Sequence, residues 1–253
     1  MVMTDKEIKT PHRIRVLGVP VDCVNMAQAL DAVDAMIKGG KAGTIFAVNP
    51  EKVMKAREDS VLMGYLESAG LLIPDGIGVV FAARFLGLGS MQRVPGSELM
   101  PAICERARDR GYKIFLFGAS PEVNESVAKI LPERYPGIAI VGRQHGYFAA
   151  EEMPDVINRI NTSGAQILFV ALGSPKQEEW MACYLPELKV RVCQGVGGTF
   201  DVIAGKVNRA PTFFLKLHLE WFYRLVSDPR RMKRQTALPR FAWCVICEKF
   251  RGR

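Results

Sequence analysis

The chain has 253 residues, of which 49% are hydrophobic, enough to bury one large core or one core with a small appendage. The first residues are polar and no apolar run approaches the ~20 residues of a spanning helix, which argues against a secreted or membrane-spanning protein. The net charge of +8 arises in residues 206–253, where 12 Lys and Arg face three acids, so this basic tail predicts a polyanionic partner: nucleic acid, an anionic membrane or a pyrophosphate.

Short apolar runs alternate along the chain with amphipathic stretches. The apolar runs predict strands at residues 13–17, 44–48, 71–73, 113–117, 138–141, 167–172 and 190–193. The amphipathic stretches predict helices after Asn25, after Asn49, over 77–86, up to Gly111, around 123–131, over 151–161 and from about 173 onward. Asn25 and Asn49 are suitable N-cap residues, and Pro50 fits the first turn of the second helix.

Strand–loop–helix units at this spacing predict an α/β fold with a mostly parallel, Rossmann-like sheet and helices on both faces. We expect residues 1–205 to form one catalytic body and residues 206–253 to form a basic, amphipathic helical appendage. Ligands of such sheets bind beyond the carboxyl ends of the strands. That rule selects the loops that hold Asn49, Asp75, Arg143 with His145, residues 174–178 and residues 195–201.

The six cysteines are scattered, several of them within apolar runs, which indicates buried thiols in a reducing compartment. Cys244 and Cys247 form the one C-x-x-C spacing. A zinc site needs a second pair or suitably spaced histidines, and none lies near them in the sequence. We therefore expect no metal site and no cofactor.

A glycine-rich turn follows the strand predicted at residues 190–193. It contains Gly195, Gly197 and Gly198 and leads to Asp201, which offers a carboxylate at the rim for substrate binding. Glycines let a backbone adopt positive φ and approach a ligand closely, and the N–H groups of such a turn suit phosphate oxygens. Lys206 and Arg209 add positive charge after the turn. A tight structural turn without a ligand is the alternative interpretation.

Eight motifs, in this order along the chain, resemble the WecG/TagA/CpsF glycosyltransferases. They are Asn49-Pro-Glu51, Pro74-Asp-Gly-Ile-Gly-Val79, Arg93-Val-Pro-Gly96, Phe115-Leu-Phe-Gly118, Gly173-Ser-Pro-Lys-Gln-Glu178, Gly195-Val-Gly-Gly-Thr-Phe-Asp201, Arg209-Ala-Pro211 and Glu220-Trp-Phe-Tyr-Arg224. The resemblance covers residues 16–239. It implies a bacterial hexosyltransferase that is peripheral to the inner face of the plasma membrane.

The resemblance also implies the substrates. The family moves an N-acetylmannosamine-type sugar, with inversion, from UDP to undecaprenyl-diphosphate-linked N-acetylglucosamine. The chain is most similar to the wall teichoic acid branch, whose donor is UDP-N-acetylmannosamine. The corresponding uronic acid donor is the alternative.

Asp75 is the residue on which the family's proposed general base falls. Inversion by direct displacement needs one base on the face opposite the leaving UDP, and a carboxylate in a loop after a strand is suitable. A turn-forming aspartate is the alternative. The resemblance also assigns Gln177 to the pocket, where it would contact substrate hydroxyls or the diphosphate, together with Gly173 and Ser174 of the same motif.

Three further residues each have two interpretations. Asn49 is an N-cap that the resemblance also puts at the sugar pocket, although this chain has Ala47 where the family usually has Thr. Arg93 is assigned to a phosphate or acceptor contact, with a solvated surface residue as the alternative. His145 is a turn histidine or a catalytic group by residue type, and the family scheme does not need it.

The sequence contains no D-x-D, the carboxylate pair with which many nucleotide-sugar enzymes hold a divalent metal. The charge of the leaving diphosphate must then be met by N–H dipoles and arginines. The resemblance assigns Arg224, Arg231 and Arg234 of the appendage to the active site, and Arg209 to substrate binding. A membrane-facing basic patch is the alternative, and the two roles are compatible.

Aromatic and aliphatic residues accompany the basic ones at 212–226 and 238–250, as in interfacial helices. The first of these stretches has the alternative of packing on the body. A nucleic-acid-binding protein is a rival class, but the net charge of −1 on residues 1–205 counts against it. A non-catalytic nucleotide-sugar-binding regulator is a second rival. The oligomeric state is left open, a homo-oligomer included.

Overall fold

A six-stranded parallel sheet forms the centre of the computed structural model, which describes residues 11–40, 42–207 and 236–251. Its strands are β3 (Gly43–Val48), β4 (Leu71–Pro74), β5 (Lys113–Gly118), β6 (Ala139–Gln144), β7 (Ile167–Ala171) and β8 (Val192–Gly195). They lie in the order β4-β3-β8-β7-β5-β6, and every neighbouring pair is parallel. The predicted α/β fold with a mostly parallel sheet is therefore confirmed.

Helices cover both faces of the sheet, which explains why central strands such as β7 are buried along their whole length. One layer contains α1 (Met26–Gly39), α5 (Gly96–Arg110), α6 (Pro121–Arg134) and α9 (Thr199–Ile203). The other contains α2 (Pro50–Glu58), α3 (Ser60–Glu67), α4 (Ile77–Leu86), α7 (Met153–Thr162), α8 (Lys176–Tyr184) and a C-terminal helix (Ala237–Arg251).

The helix starts follow from their capping residues. Asn25 and Gln28 form a capping box at α1, and the side chain of Asn49 accepts a hydrogen bond from the N–H of Lys52 at the start of α2. Pro50 occupies the first turn of α2, as predicted. Gly40 caps the C-terminal end of α1, and its φ of 74° suits a residue without Cβ.

Three elements differ from the sequence-based expectation. The predicted opening strand is half of a separate antiparallel hairpin, β1 (Arg13–Val16) with β2 (Val19–Asp22). α3 was not predicted, because only Asp59 lies between α2 and α3, and no glycine or proline marks the break. The five-residue α9 was not predicted either, because it begins directly at the glycine-rich turn.

The hairpin covers the edge strand β4. The carboxylate of Asp22, only 1% exposed, accepts hydrogen bonds from the guanidinium of Arg13 at 2.7 and 3.0 Å and from the N–H of Leu72 at 2.8 Å. Pro74 in the same strand has no N–H, and its carbonyl accepts from the N–H of Val94 at 2.9 Å. The hairpin and these bonds fix β4, the strand that carries Asp75 at its end.

The predicted helix at residues 238–250 is present as the C-terminal helix, and it packs on α2 and α4. Phe241 and Val245 are buried in that contact, and Arg240 forms an ion pair with Glu58 of α2. Residues 212–226 lie outside the described residues, so the division at 205 and 206 stays a prediction. Among the described residues, no helix is both long and apolar enough to span a membrane.

Candidate active site

The predicted site residues follow four strands that are neighbours in the sheet. Asp75 follows β4, Asn49 follows β3, the glycine-rich turn follows β8, and Gly173 follows β7. At about 4.8 Å per strand, these four carboxyl ends span roughly 14 Å. The sheet order therefore brings the four predicted loops to one continuous edge.

Asp75 is held on three sides. Its Oδ1 accepts a hydrogen bond from the N–H of Gly96 at 2.9 Å, at the start of α5, where the helix dipole favours a negative charge. Its main-chain N–H donates to the carbonyl of Val48, and its carbonyl accepts from Nε of Arg93 at 2.8 Å. The carboxylate is thus fixed and half-buried, and Arg93 acts on the turn that presents it.

Asn49 lies against the turn of Asp75. A Cβ built on Gly76 would come within 2.7 Å of Pro50 and 3.1 Å of the Asn49 Cβ, so this close approach requires glycine. Oδ1 of Asn49 is used by the N–H of Lys52, as expected of an N-cap. Within the described part of the chain, Nδ2 of Asn49 has no hydrogen-bond partner. Asn49 is therefore an N-cap whose amide N–H₂ group faces no protein acceptor there.

Gln177 organises the glycine-rich turn. Its Oε1 accepts from the N–H of Gly197 at 3.0 Å, and its side chain is 6% exposed. A Cβ on Gly195 would lie 2.7 Å from Nε2 of Gln177. Gly195 is therefore needed because the side chain of Gln177 lies against it, while Gly197, with φ of 51°, is needed for its backbone conformation.

Most N–H groups of the glycine-rich turn already have protein acceptors. Those of Val196, Gly197 and Thr199 donate to Val170, Gln177 and Val196 respectively. Gly198 is exposed, and its N–H has no acceptor among the described residues. In this conformation, the N–H of Gly198 is thus the one amide from Val196 to Thr199 that has no acceptor among the described residues and could bind a phosphate oxygen.

A buried ion pair, which sequence reasoning missed, supports Gln177. Nζ of Lys52 in α2 lies 2.5 Å from Oε1 of Glu178 in α8, with the two side chains 7% and 0% exposed. Nε2 of Gln177 donates to the same carboxylate oxygen at 3.3 Å. The pair joins the helix that begins at Asn49 to the helix that carries Gln177. The two residues are 126 positions apart, so no local pattern could have paired them.

Comparison with known proteins gives a match along nearly the whole chain. A family model described as "Glycosyl transferase WecG/TagA/CpsF family" matches residues 14–253. The chain belongs to the WecG/TagA/CpsF glycosyltransferase family. The resemblance inferred from the eight motifs is confirmed, and with it the assignment of the chain as a glycosyltransferase.

Curated relatives in the same family are 34% identical to this chain. One, from Staphylococcus aureus strain MRSA252, aligns over 98% of this chain and 97% of its own length. Another, from Bacillus spizizenii strain W23, aligns over 81% of this chain and 79% of its own length. Both carry the name N-acetylglucosaminyldiphosphoundecaprenol N-acetyl-beta-D-mannosaminyltransferase.

The remaining residues singled out in the sequence lie in separate elements. Ser174 is exposed in the loop after β7, and Asp201 is half-buried in α9. Ala47 lies close to Gly96, because a Cβ added to Gly96 would be 3.7 Å from the Cβ of Ala47. Four family-assigned arginines lie outside the described residues: Arg209, Arg224, Arg231 and Arg234.

His145 lies apart from this group of loops. It follows β6 at the far edge of the sheet, with β5 between it and the strands that carry the site. Its Nδ1 accepts from the N–H of Tyr147 at 3.3 Å, which is the contact of a turn histidine. Arg143 lies on the same strand, 4.0 Å from a carboxylate oxygen of Glu125. The structure therefore does not join these two residues to Asp75.

The cysteines follow the expectation in part. Cys104 and Cys193 are buried, and burial raises the pKa of both thiols, that of Cys104 to about 12. Cys183 is exposed, and Cys23, Cys244 and Cys247 are half-buried. In the described ranges, no group of three or more His, Cys, Asp or Glu could hold a metal ion.

Gly195→Ala is expected to lower turnover. The added methyl would overlap Gln177, and overpacking of this kind costs about 1–3 kcal/mol, so one or both of Gln177 and the glycine-rich turn must move. Gly64→Ala is the matched control, because a Cβ in that helix meets nothing within 4 Å. Steady-state kinetics and thermal melting distinguish the two, and equal turnover for both variants would contradict the role given to Gly195.

Proposed function

We propose that the chain transfers N-acetylmannosamine, with inversion, from UDP to the N-acetylglucosamine of undecaprenyl-diphosphate-N-acetylglucosamine. The observation that carries the proposal is the alignment, over 98% of the chain, with a relative named for this acceptor and this sugar. The convergence of the motif loops at one edge of the sheet supports it. The product would serve wall teichoic acid or another surface polysaccharide.

In the proposed reaction an acceptor hydroxyl oxygen attacks the anomeric carbon of the donor. The bond from that carbon to the UDP oxygen breaks, and UDP leaves with the electron pair. The hydroxyl proton passes to the carboxylate of Asp75. Two features support this role: the rigid hold on the Asp75 backbone, and the bond from Gly96 that keeps the carboxylate oriented.

The leaving diphosphate needs positive groups that act as its charge develops. We assign this role to Arg224, Arg231 and Arg234, with Arg209 and the N–H of Gly198 as further contacts. Gln177 supports the glycine-rich turn, and one of its two Nε2 hydrogens is used by Glu178, which leaves the other for a substrate hydroxyl. Asn49 offers its Nδ2 group to the sugar.

The proposed acceptor lies in a bilayer, so the protein works at the inner face of the plasma membrane as a peripheral protein. The basic appendage supports this location, since each Lys or Arg near an anionic surface contributes about 1 kcal/mol. Exposed Trp243 and Phe250 on the C-terminal helix are suited to an interface. We propose no nucleic-acid partner, because residues 1–205 carry no excess of positive charge.

Release of UDP from UDP-N-acetylmannosamine in the presence of a synthetic diphospholipid N-acetylglucosamine tests the function. The uronic acid donor and UDP-N-acetylglucosamine serve as comparisons. We expect transfer from UDP-N-acetylmannosamine, with a β-linked disaccharide as product. Binding of the donor without transfer to any acceptor would identify a non-catalytic regulator instead.

Removal of divalent metal is expected to leave turnover unchanged. The sequence has no D-x-D, and the proposed reaction meets the diphosphate charge with arginines. Turnover measured in excess EDTA should equal that measured with Mg²⁺ or Mn²⁺. Loss of activity that Mn²⁺ restores would contradict this account of the leaving group.

Arg224→Ala and Arg231→Ala are each expected to lower turnover at least about tenfold on a short-chain, water-soluble acceptor, because each removes charge that stabilises the leaving diphosphate. Vesicle binding should persist, since one surface charge is worth about 1 kcal/mol of attraction. Kinetics and vesicle sedimentation separate the two roles. Normal turnover with weakened sedimentation would make the arginines anchors only.

A further inference from the structure

An apolar groove lies between α4 and the C-terminal helix. From α4 it is lined by Phe81, Ala82 and Phe85, and from the C-terminal helix by Phe241, Ala242, Val245 and Ile246. Its volume is about 710 Å³, within the range of small-molecule pockets. Phe81 is 61% exposed and Phe85 is 47% exposed. Large apolar side chains left open along a groove mark a place for an apolar ligand.

The inner end of the groove adjoins the candidate active site. Pro50 and Gly78 line it there, one residue beyond Asn49 and three beyond Asp75. A Cβ on Gly78 would lie 2.8 Å from the ring of Pro50 and 3.8 Å from the ring of Phe241. Gly78 thus lets Pro50 pack closely against the start of α4, and a ligand bound at Asp75 would have this end of the groove beside it.

The outer part of the groove carries positive charge. Arg84 is among its lining residues, and Nζ of Lys249 lies 5.6 Å from the centre of the Phe85 ring. A long basic side chain over an aromatic ring keeps its ammonium group at the surface while its stem covers apolar area. This arrangement suits an apolar chain whose surroundings carry phosphate groups.

The volume limits the length of chain that fits. At about 30 Å³ per heavy atom, the share of a water molecule in the liquid, the groove holds on the order of twenty carbon atoms. That corresponds to roughly four isoprene units of five carbons each. The groove would thus bind the first part of a long polyprenyl chain and leave the rest in the bilayer.

We propose that this groove binds the polyprenyl chain of the lipid-diphosphate acceptor, from the units next to the diphosphate outward. The proposal rests on the proposed function for the identity of the acceptor. The acceptor is favoured over the acyl chains of the membrane because the groove starts at the site itself. A ligand held there by its sugar and diphosphate already has the start of its own chain at the groove entrance.

The test compares two acceptors that differ only in chain length, one polyprenyl and one with a single isoprene unit, both in detergent micelles. Ala242 is exposed and lines the groove, so Ala242→Trp fills the groove without opening the core. We expect kcat/KM on the polyprenyl acceptor to fall about tenfold and kcat/KM on the short acceptor to stay within about twofold. The short acceptor has one isoprene unit, so it buries little apolar surface in the groove and loses little when the groove is filled.

The matched control is Ala149→Trp, which adds the same side chain at an exposed alanine near β6. A second pair is Ile246→Asp in the groove and Val61→Asp on α3, both at exposed aliphatic residues. Only the groove variant of each pair should lose the preference for the long chain. An equal loss on both acceptors, or no loss on either, overturns the proposal.

A binding measurement separates failure of this proposal from failure of the proposed function. A polyprenyl diphosphate with a photoreactive group on its second isoprene unit should label Phe81, Phe85 or Ile246, and Ala242→Trp should abolish the labelling. Labelling without sugar transfer would support chain binding in the groove and refute the proposed function. Sugar transfer without labelling would support the proposed function and refute chain binding in the groove. If Ala242→Trp instead weakens binding to acceptor-free vesicles, or Phe81→Asp splits a dimer, the occupant is a membrane lipid or a second copy, and the proposal is overturned.

Discussion

Asp75→Asn is expected to lower turnover by about 10²–10⁴-fold, the usual contribution of a general base. The substitution removes the proton acceptor but keeps an oxygen that can accept from the N–H of Gly96. The fold and the binding of UDP-N-acetylmannosamine should therefore be nearly unchanged. Turnover is measured by UDP release, and donor affinity by titration calorimetry.

The matched control is Asp59→Asn. Asp59 caps α3 by accepting from the N–H groups of Val61 and Leu62, and asparagine caps a helix equally well. This variant should keep wild-type turnover. If Asp75→Asn retains more than about a tenth of wild-type turnover, another group removes the proton, since a general base contributes at least ~10²-fold.

Lys52→Met is expected to destabilise the protein by about 3–5 kcal/mol, because it leaves the carboxylate of Glu178 buried without its cation. At about 2–4 °C per kcal/mol, the melting temperature should fall on the order of 10 °C. Turnover should also fall, since Glu178 accepts from the same Gln177 that holds the glycine-rich turn. Thermal melting and kinetics measure the two effects.

Two companion variants test the cause. Lys55→Met removes an exposed lysine one turn further along α2 and should melt within about 2 °C of wild type. Adding Glu178→Gln to Lys52→Met removes the uncompensated charge and should restore most of the lost stability. A Lys52→Met protein that melts like Lys55→Met would show that the pair contributes nothing.

The sheet could be predicted because its strands carry local signals. Apolar runs such as residues 167–172 are the buried strands of a parallel sheet, and Asn49 followed by Pro50 marks a helix start. The rule that ligands bind at the carboxyl ends of parallel strands then led to Asp75 and the glycine-rich turn without any contact information. These inferences depend only on residues that are close in sequence.

What could not be predicted depends on pairing between distant segments. The rule for parallel sheets selected the loops of His145 and Asp75 together, and only the strand order shows that β3, β8, β7 and β5 lie between them. Gly195 lies against the side chain of Gln177, eighteen positions earlier in the chain, and no local pattern predicts that contact. The ion pair of Lys52 with Glu178 likewise exists only once α2 and α8 pack together.

The hairpin and the hydrogen bonds that cover β4 bear on how this protein behaves at high concentration. An open edge strand offers unpaired N–H and C=O groups to the edge of another molecule, and such pairing is a common start of aggregation. In β4 the N–H of Leu72 is taken by Asp22, Pro74 has no N–H, and the carbonyl of Pro74 is taken by Val94. Neighbouring copies cannot extend the sheet through these groups, so this part of the outer edge of β4 offers no template for edge-to-edge pairing.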